Sequence, residues 1–398
     1  MLSIKKRIYL RNRAEEAIRK KDFHKAISAF KEGLKLDIHY YWYYLFIGDI
    51  YYFELYDTDS AIFWYEKCIE LGGDSLSNDT LSPLRYLLKR LSKIYFDKED
   101  YNKAIKYYEW FISFKPSNFH DTDFVNYAKA VLELGNKEKA ISVLKMGEKY
   151  SKSTKIRKML SELTGEEYDL TDFKRIKNGY ERIPIKTPII KIGDDICEIA
   201  DKLTKGIRRE GDIITLASAV TALAEGRAKS VDVIYASPLA KLLSFFVKKD
   251  NYPFGGNAPL CNPLAMQIAI NEAGLARIIF SALFGGVLGK LFRKNGLFYR
   301  LAGPQSALID DMPGAIPPYD YYVILGPKDS YKTSLKIKEM TSCDAAIVDA
   351  NDLGIAWVVG TSDKSKTREI EEALSDNPQG NGDQQTPIVL LRKVNVIN

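Results

Sequence analysis

The sequence has few of the residue types on which several common chemistries depend. Only three histidines occur in 398 residues, and none follows His120. A catalytic site beyond that point therefore has no histidine base, no Ser-His-Asp triad and no histidine-ligated zinc or iron. A metal ion there would be held by carboxylate and carbonyl oxygens, which favour magnesium, manganese or calcium.

Cysteines, long apolar runs and an excess of one charge are scarce as well. The four cysteines lie far apart without a CxxC pair, which indicates free thiols in a reducing cytoplasm. The longest apolar run, residues 278–289, is short enough to be a buried helix, and the N-terminus shows no signal peptide. Lys and Arg number 58 against 52 Asp and Glu, a small excess for a nucleic-acid-binding protein. We expect a cytoplasmic protein with no transmembrane segment and no nucleic-acid partner.

The first part of the chain contains a repeated motif. An alanine followed four residues later by an aromatic residue or leucine recurs at Ala26, Ala61, Ala104 and Ala140. A period near 34 residues with this pattern is typical of helix-hairpin arrays, because the small residue lets antiparallel helices approach closely. The pattern resembles the tetratricopeptide (TPR) repeat and predicts an all-α array over residues 1–152.

Arrays of this kind usually bind a peptide or another protein in a concave groove, so we expect a protein partner. The aromatic run from Tyr40 to Tyr44 is explained by packing between helices, which we favour, or by side chains that line the groove. Residues 153–180 are rich in lysine and polar residues and predict a capping helix and a linker.

Residues 181–398 predict one mixed α/β (α+β) domain, because Gly and Pro become frequent and β-branched runs alternate with helical patterns. Predicted strands cover 183–192, 212–216, 231–234, 321–325, 345–348, 355–359 and 388–392. Predicted helices cover 195–205, 238–247, 263–272, 278–292, 332–340 and 364–374. No GxGxxG follows the first strand and no P-loop motif occurs, so neither a Rossmann site nor a P-loop is supported.

Polar residues follow a buried strand and fill one loop of this domain. Asp349, Asn351 and Asp352 come at the end of a predicted strand and offer oxygen ligands. Asp310 and Asp311 are adjacent in a loop rich in Pro and Gly, where two carboxylates repel each other unless a cation is near. With no histidine available, these acids favour phosphate chemistry on hard metal ions.

Two further segments have functional and simpler explanations. The glycines of residues 377–387 offer backbone N–H groups to a phosphate, although Asx residues are common in turns by themselves. Gly193, Asp194 and Asp195 precede a predicted helix, and we favour a helix cap for them.

Several short motifs follow one another in the second half of the chain. They are Pro-Ile-Ile-Lys-Ile-Gly-Asp-Asp at 188–195, Gly-Asp-Ile-Ile at 211–214, Ala-Glu-Gly-Arg at 224–227, Ile-Val-Asp at 347–349 and Thr-Pro-Ile-Val-Leu at 386–390. Their order resembles the coenzyme F-420 gamma-glutamyl ligase family. The segments 257–267 and 326–329 indicate a divergent branch, and the resemblance covers nearly all of residues 181–395.

The resemblance implies a ligase that uses a nucleotide and divalent metal ions. Enzymes of the family join glutamate to a terminal carboxylate of a deazaflavin cofactor precursor. They transfer the γ-phosphoryl group of GTP to the carboxylate, and the amine then attacks the acyl phosphate. The family also implies a homodimer through this domain.

The resemblance also implies site residues, though it assigns no catalytic base. The nucleotide-contacting segments match Thr187, Pro188, Ile189, Ile190, Ser218, Ala219, Gly380, Asn381, Gly382, Asp383, Gln384 and Gln385. Asp349 matches a metal-binding aspartate, and Asp310 or Asp311 is the candidate for a second one. Magnesium or manganese, with GTP or ATP as co-substrate, are the expected cofactors.

Three positions depart from the family pattern. A lysine that precedes the Glu-Gly-Arg element is Leu223 here, which removes a phosphate-facing charge. The aspartate-threonine metal pair is Asp349-Ala350, for which Asn351 or Asp352 would substitute. The Gly-Ile-Asp element reads Gly-Pro-Gln at 303–305. Three hypotheses follow: an amide-forming ligase, a non-catalytic scaffold or binding protein with a degenerate ligase-like domain, or another metal-dependent activity on a phosphorylated ligand.

Overall fold

The computed structural model describes residues 3–78, 82–114, 119–150, 153–170, 175–247, 259–285, 297–310, 316–351, 354–380 and 384–394. The chain divides into two compact units. The first, called the helical unit, comprises Met1–Leu170 with Val231–Val233. The second, called the α/β unit, comprises Thr171–Ser230 with Ile234–Asn398.

The helical unit is a series of antiparallel helix pairs. Its helices are α1 Ile4–Arg19, α2 Phe23–Leu36, α3 Trp42–Asp49, α4 Thr58–Asn78, α5 Leu84–Asp97, α6 Tyr101–Phe114, α7 Asp121–Glu133, α8 Lys137–Tyr150 and α9 Thr154–Thr164. Helices α1 and α2, α3 and α4, α5 and α6, and α7 and α8 pack in pairs, and α9 packs on α8. The predicted all-α array is confirmed.

The repeated alanines explain how the helices pack. Ala26, Ala61, Ala104 and Ala140 lie in the second helix of each pair, and all four are completely buried. The large residues four positions later are buried as well; they are Phe30, Tyr65, Tyr108 and Leu144. The small and large side chains therefore alternate along the packed faces, as the spacing predicted.

The aromatic run is also part of this packing. Trp42, Tyr43 and Tyr44 are buried, and the rings of Tyr40 and Tyr43 lie 4.7 Å apart, edge to face. A Cβ atom on Gly33 would lie only 2.1 Å from Cε2 of Tyr43, so α2 approaches this ring where no side chain intervenes. Packing between helices, the favoured explanation, is confirmed for these three residues.

The α/β unit is built on a six-stranded sheet. The strands are β1 Ile176–Lys177, β2 Tyr180–Ile185, β3 Ile213–Ala217, β4 Ala228–Ser230, β5 Tyr322–Ile324, β6 Asp344–Asn351, β7 Ile355–Thr361 and β8 Ile388–Lys393. The sheet order is β1-β2-β8-β3-β6-β7, with β3 and β6 parallel and the other neighbours antiparallel. Strands β4 and β5 form a separate antiparallel pair.

Helices cover both faces of the sheet. They are α10 Ile196–Thr204, α11 Ser218–Ala224, α12 Pro238–Phe246, α13 Pro263–Ala273, α14 Leu275–Phe280, α15 Leu297–Ala302, α16 Pro304–Ala307, α17 Ser330–Thr341 and α18 Thr367–Leu374. Ile214 and Leu216 of β3 belong to one buried cluster with α10 and α17. Ile213 lies in a second cluster with α18, because successive strand residues point to opposite faces. The predicted mixed α/β class is confirmed.

Three local predictions have outcomes in the structure. Asp195 caps α10 by accepting from the backbone N–H groups of Cys197 at 2.9 Å and Glu198 at 3.2 Å, so the cap is confirmed. The strand predicted over 183–192 covers Tyr180–Ile185 instead, because its partner β8 begins at Ile388, opposite Ile185. The strand predicted over 231–234 is wrong: a 3₁₀ turn occupies Val231–Val233, directly after β4.

The apolar run from residue 278 is not a simple buried helix. Ile278 is buried, but Phe280 is 49% exposed, and the run continues from α14 into a π-helical turn, Ser281–Gly285. Residues 286–296 lie outside the described part. Among the described residues, no single helix is both long and apolar enough to cross a membrane; Pro263–Ala273 and Leu275–Phe284 meet that criterion only together, bent by 117°.

Asp344, at the start of β6, should make stability depend on pH. Its carboxylate pairs with Lys338 at 2.7 Å and with Lys366, and it accepts from Ser362 Oγ at 3.1 Å. Burial raises the pKa of Asp344, but the hydrogen bonds from the two lysines outweigh burial and lower it to about 2. The unfolded pKa is about 3.9, so the contribution is complete above that pH and is lost as pH falls towards 2.

We expect Asp344→Asn to lower the free energy of unfolding at pH 7 by roughly 1–2 kcal/mol, after allowance for solvent screening of the lysines. The difference from the wild type should shrink as pH falls below about 4. Urea unfolding at a series of pH values measures both quantities. Asp59→Asn, which alters an aspartate with an 87% exposed side chain, is the matched control and should change little. If the variant's loss of unfolding free energy stays constant down to acid pH, it does not come from the ionised Asp344 carboxylate.

Candidate active site

The parallel pairing of β3 and β6 brings two predicted site residues together. Because the strands run in the same direction, their carboxyl ends lie at the same edge of the sheet. Ala217, the last residue of β3, is paired with Val348 of β6. Ser218 and Asp349 each come one residue later, and Ser218 Oγ donates a hydrogen bond to Asp349 Oδ1 at 3.0 Å.

Asp349 lies in an environment that disfavours its charge. The residue is partly buried, and burial raises the pKa of its carboxyl group, whereas the hydrogen bond from Ser218 acts in the opposite direction. Among the described residues, the groups that shift this pKa include no cation. A carboxylate and a hydroxyl are hard oxygen ligands of the kind that magnesium and manganese accept, so these two residues fit a divalent cation.

The other predicted metal ligands are placed less favourably. The segment from Asp349 to Asn351 continues β6 into a hairpin with β7, and Asn351 Oδ1 accepts from the Ile355 N–H at 3.2 Å. Asp310 is exposed, and its backbone forms a β-bridge with Ile324. Within the described part, no group of three or more His, Cys, Asp or Glu side chains is arranged to hold a metal ion. Asp311 and Asp352 lie outside the described residues.

A cleft collects several segments that are distant in the sequence. Thr187, Pro188 and Ile190 come from the loop after β2, Ala219 comes from α11, and Gln385 comes from the loop before β8. Two of these segments are joined directly, because the Thr187 N–H donates to the Gln385 carbonyl at 2.8 Å. The loop ahead of β8 is closed by a bridge between Gly380 and Thr386. The three segments predicted to contact a nucleotide, which contain Thr187, Ala219 and Gln385, therefore meet at this cleft.

The remaining predicted residues divide into three groups. Asp310 also lines the cleft, whereas Ile189, Ser218, Gly380, Gln384, Asp349 and Asn351 are not among its described lining residues. Asn381, Gly382 and Asp383 lie outside the described residues. Ser218 directly precedes Ala219, so the Ser218–Asp349 pair and the cleft share the start of α11.

Sequence reasoning missed the apolar character of the cleft. Its further lining residues are Val220, Leu223, Ile316, Tyr319, Ile324 and Pro387. Leu223 is 6% exposed and stands where the resemblance placed a lysine. Of the twelve described lining residues, none is Lys or Arg, and Asp310 is the one acid. A signal existed in Leu223 itself, since one lost lysine already indicated a less polar wall.

The Ala-Glu-Gly-Arg motif connects neighbouring segments beside the cleft. It lies at the junction between α11 and β4, where Gly226 adopts a φ of +72°. Arg227 Nη2 donates to Gln305 Oε1 at 3.0 Å and pairs with Glu272 at 2.7 Å. Gln305 in turn donates to the Pro327 carbonyl at 3.1 Å. Gln305, which stands where the family's Gly-Ile-Asp element has its aspartate, therefore links Arg227 to the Pro327 carbonyl in this chain.

Comparison with known families agrees with this division of the chain. Residues 184–281 match the family model described as F420-0:Gamma-glutamyl ligase, and residues 43–71 and 90–118 match that of the tetratricopeptide repeat. The chain therefore contains tetratricopeptide repeats followed by a gamma-glutamyl ligase-like segment, and both predicted resemblances are confirmed. The match covers the first part of the range 181–395, so the motifs at 347–349 and 386–390 lie beyond it.

Similar solved structures include "Crystal structure of MamA", which is 19% identical, with 38% of this chain and 82% of that chain covered and a TM-score of 0.32. "Crystal structure of MamA protein" is 20% identical, with 42% and 98% covered and a TM-score of 0.22. No curated protein matches the chain.

Proposed function

We propose that the α/β unit is a nucleotide- and metal-dependent ligase that joins a carboxylate to an amino acid through an acyl phosphate. One observation carries the proposal: three segments expected to contact a nucleotide meet at one cleft, beside the Ser218–Asp349 pair. The match of residues 184–281 to the ligase family supports the reaction class. Either GTP or ATP serves as the phosphoryl donor in this proposal.

The roles of individual residues follow from their chemistry. The apolar walls around Leu223, Ile190 and Val220 would hold a base or another planar group and exclude water. Asp349 would hold magnesium or manganese, and Ser218 would orient its carboxylate. The bound ion would supply charge neutralisation for the transferred phosphoryl group.

A second candidate is a non-catalytic binding or scaffold protein. The specific observation in its favour is the composition of the cleft, whose described lining contains no Lys or Arg. Leu223 in particular lies where the ligase family has a lysine. Phosphoryl transfer depends on cations that stabilise the phosphate oxygens, so an apolar cleft alone suits an uncharged ligand better.

Calorimetric titration of GTP and ATP, each with Mg²⁺ or Mn²⁺, into the full chain tests the proposal. We expect binding that requires the metal and that weakens by roughly tenfold or more in Asp349→Asn, because a metal-bridged phosphate loses its anionic ligand. Asp363→Asn is the matched control, since Asp363 also accepts a serine hydroxyl, from Ser365 at 2.7 Å, but lies at a helix cap. It should bind like the wild type.

The two candidates give different results in this titration. If neither nucleotide binds the wild type with either metal, the ligase proposal fails and the scaffold candidate replaces it. If binding is intact in Asp349→Asn, the metal is held elsewhere and the assignment of Asp349 is wrong.

The wider setting forms part of the same proposal. Tetratricopeptide repeats support a protein or peptide partner for the helical unit, and a homodimer through the α/β unit would follow the ligase family. A cytoplasmic location is supported by the four cysteines, which are all free thiols.

A further inference from the structure

The positive charge of the chain is concentrated in one segment of the α/β unit. Residues 234–309 contain eight Lys or Arg and two Asp or Glu, so this segment alone accounts for the net charge of +6. The rest of the chain is balanced. The same segment contains ten aromatic residues. A local excess of cations among aromatic and aliphatic residues is typical of surfaces that contact anionic partners.

Two helices in this segment expose large apolar side chains at the same spacing. On α12, Leu242, Phe245 and Phe246 are 54%, 74% and 73% exposed. The spacing i, i+3, i+4 puts these three side chains on one face of the helix. Lys241, next to Leu242, is exposed as well.

The second set repeats this arrangement where α14 continues into the π-helical turn. Phe280, Leu283 and Phe284 are 49%, 58% and 47% exposed, again at i, i+3, i+4. The rings of Phe280 and Phe284 lie 4.3 Å apart and form one continuous apolar ridge. Helices α12 and α14 both pack against α13, and these six exposed residues together are called the aromatic surface. Soluble proteins expose single apolar residues commonly, but grouped ones mark interaction sites.

The lengths of the helices suit a membrane surface better than its interior. Helix α12 has nine residues, and α13 and α14 are bent by 117°, so neither provides a straight segment of the length that spans a bilayer. Short helices with Phe and Leu on one side and lysine nearby lie in the plane of the interface instead.

We propose that the aromatic surface docks the protein on membranes that contain anionic phospholipids. The Phe and Leu side chains enter the boundary between headgroups and acyl chains, and the excess positive charge of residues 234–309 attracts the anionic headgroups. The charge distribution favours a lipid over a second copy of this chain. Symmetric pairing of this surface would bring two segments of net +6 together, and they would repel each other.

Co-sedimentation of the full chain with lipid vesicles tests the proposal. We expect binding to vesicles of phosphatidylcholine mixed with phosphatidylserine, weaker binding to phosphatidylcholine alone, and weakening by added salt. The double variant Phe245→Ser with Phe246→Ser should bind roughly tenfold more weakly or worse, because it lacks two phenyl rings that the membrane would bury. Phe280→Ser with Phe284→Ser tests the second helix in the same way.

Two exposed aromatic residues of the helical unit provide the control. Tyr56 and Phe63 are 82% and 55% exposed, and Tyr56→Ser with Phe63→Ser should leave vesicle binding unchanged. The proposal is overturned if the wild type does not sediment with anionic vesicles. It is overturned equally if both double variants of the aromatic surface bind the vesicles like the wild type. It is also overturned if sedimentation velocity without lipid shows a dimer that Phe245→Ser with Phe246→Ser converts to a monomer, because the surface would then join two copies.

Discussion

Arg90→Met should destabilise the helical unit by about 3–5 kcal/mol, which is the cost of leaving one member of a buried ion pair alone. Arg90 of α5 donates through Nε to Asp49 Oδ1 at 3.1 Å, and the two side chains are 2% and 5% exposed. Tyr65 of α4 donates its hydroxyl to the same oxygen at 2.7 Å. Without Arg90, the Asp49 carboxylate stays buried and loses this cation, so it either takes up a proton or draws in water.

Tryptophan fluorescence during urea unfolding measures this effect, because three of the four tryptophans lie in the helical unit. The control is a double variant, Asp49→Leu with Arg90→Met, since replacing both members of a buried pair by apolar residues is often neutral. We expect it to recover at least half of the lost free energy. If Arg90→Met costs less than about 1 kcal/mol, the Asp49 carboxylate does not depend on Arg90 to compensate its burial.

The helical repeat could be predicted from the sequence because its signal is local. Each alanine and the large residue four positions later lie on one helix face, so their spacing already implies burial. The Asp49–Arg90 pair could not be predicted in this way. The two residues are 41 positions apart and belong to different helix pairs, and a lone Asp or Arg in a helical pattern indicates a solvated position.

The site could be predicted only in part, for a similar reason. The family resemblance assigned Thr187, Ala219 and Gln385 to one nucleotide site, and all three line the same cleft. The hydrogen bond from Ser218 to Asp349 depends on the parallel register of β3 and β6, which spacing along the chain does not determine. The apolar wall depends also on Ile316 and Tyr319, which enter from a distant loop, so the sequence indicated this wall only through Leu223.

Leu223→Lys tests whether the cleft tolerates a charged side chain, and we expect it to lower the stability of the protein strongly. Leu223 is 6% exposed and lines the cleft among apolar residues. The substitution removes a buried apolar side chain and buries an ammonium group instead, so we expect the free energy of unfolding to fall by roughly 3 kcal/mol or more. Burial disfavours the charged form, so the pKa of the introduced amine should be lowered, and the loss should be smaller at high pH, where the amine is neutral.

A bound phosphate would change this result. If the cleft holds a nucleotide with its phosphates near Leu223, the new ammonium group gains a counter-charge that the wild type does not offer. Adding GTP or ATP with Mg²⁺ should then raise the Tm of Leu223→Lys by several degrees more than that of the wild type. Leu223→Met, which conserves the apolar volume, should respond like the wild type. Equal Tm shifts in all three proteins would place the phosphates away from Leu223, as expected if this wall faces the base. No Tm shift in any of the three proteins would mean that the nucleotide does not bind, and the scaffold candidate would then replace the ligase.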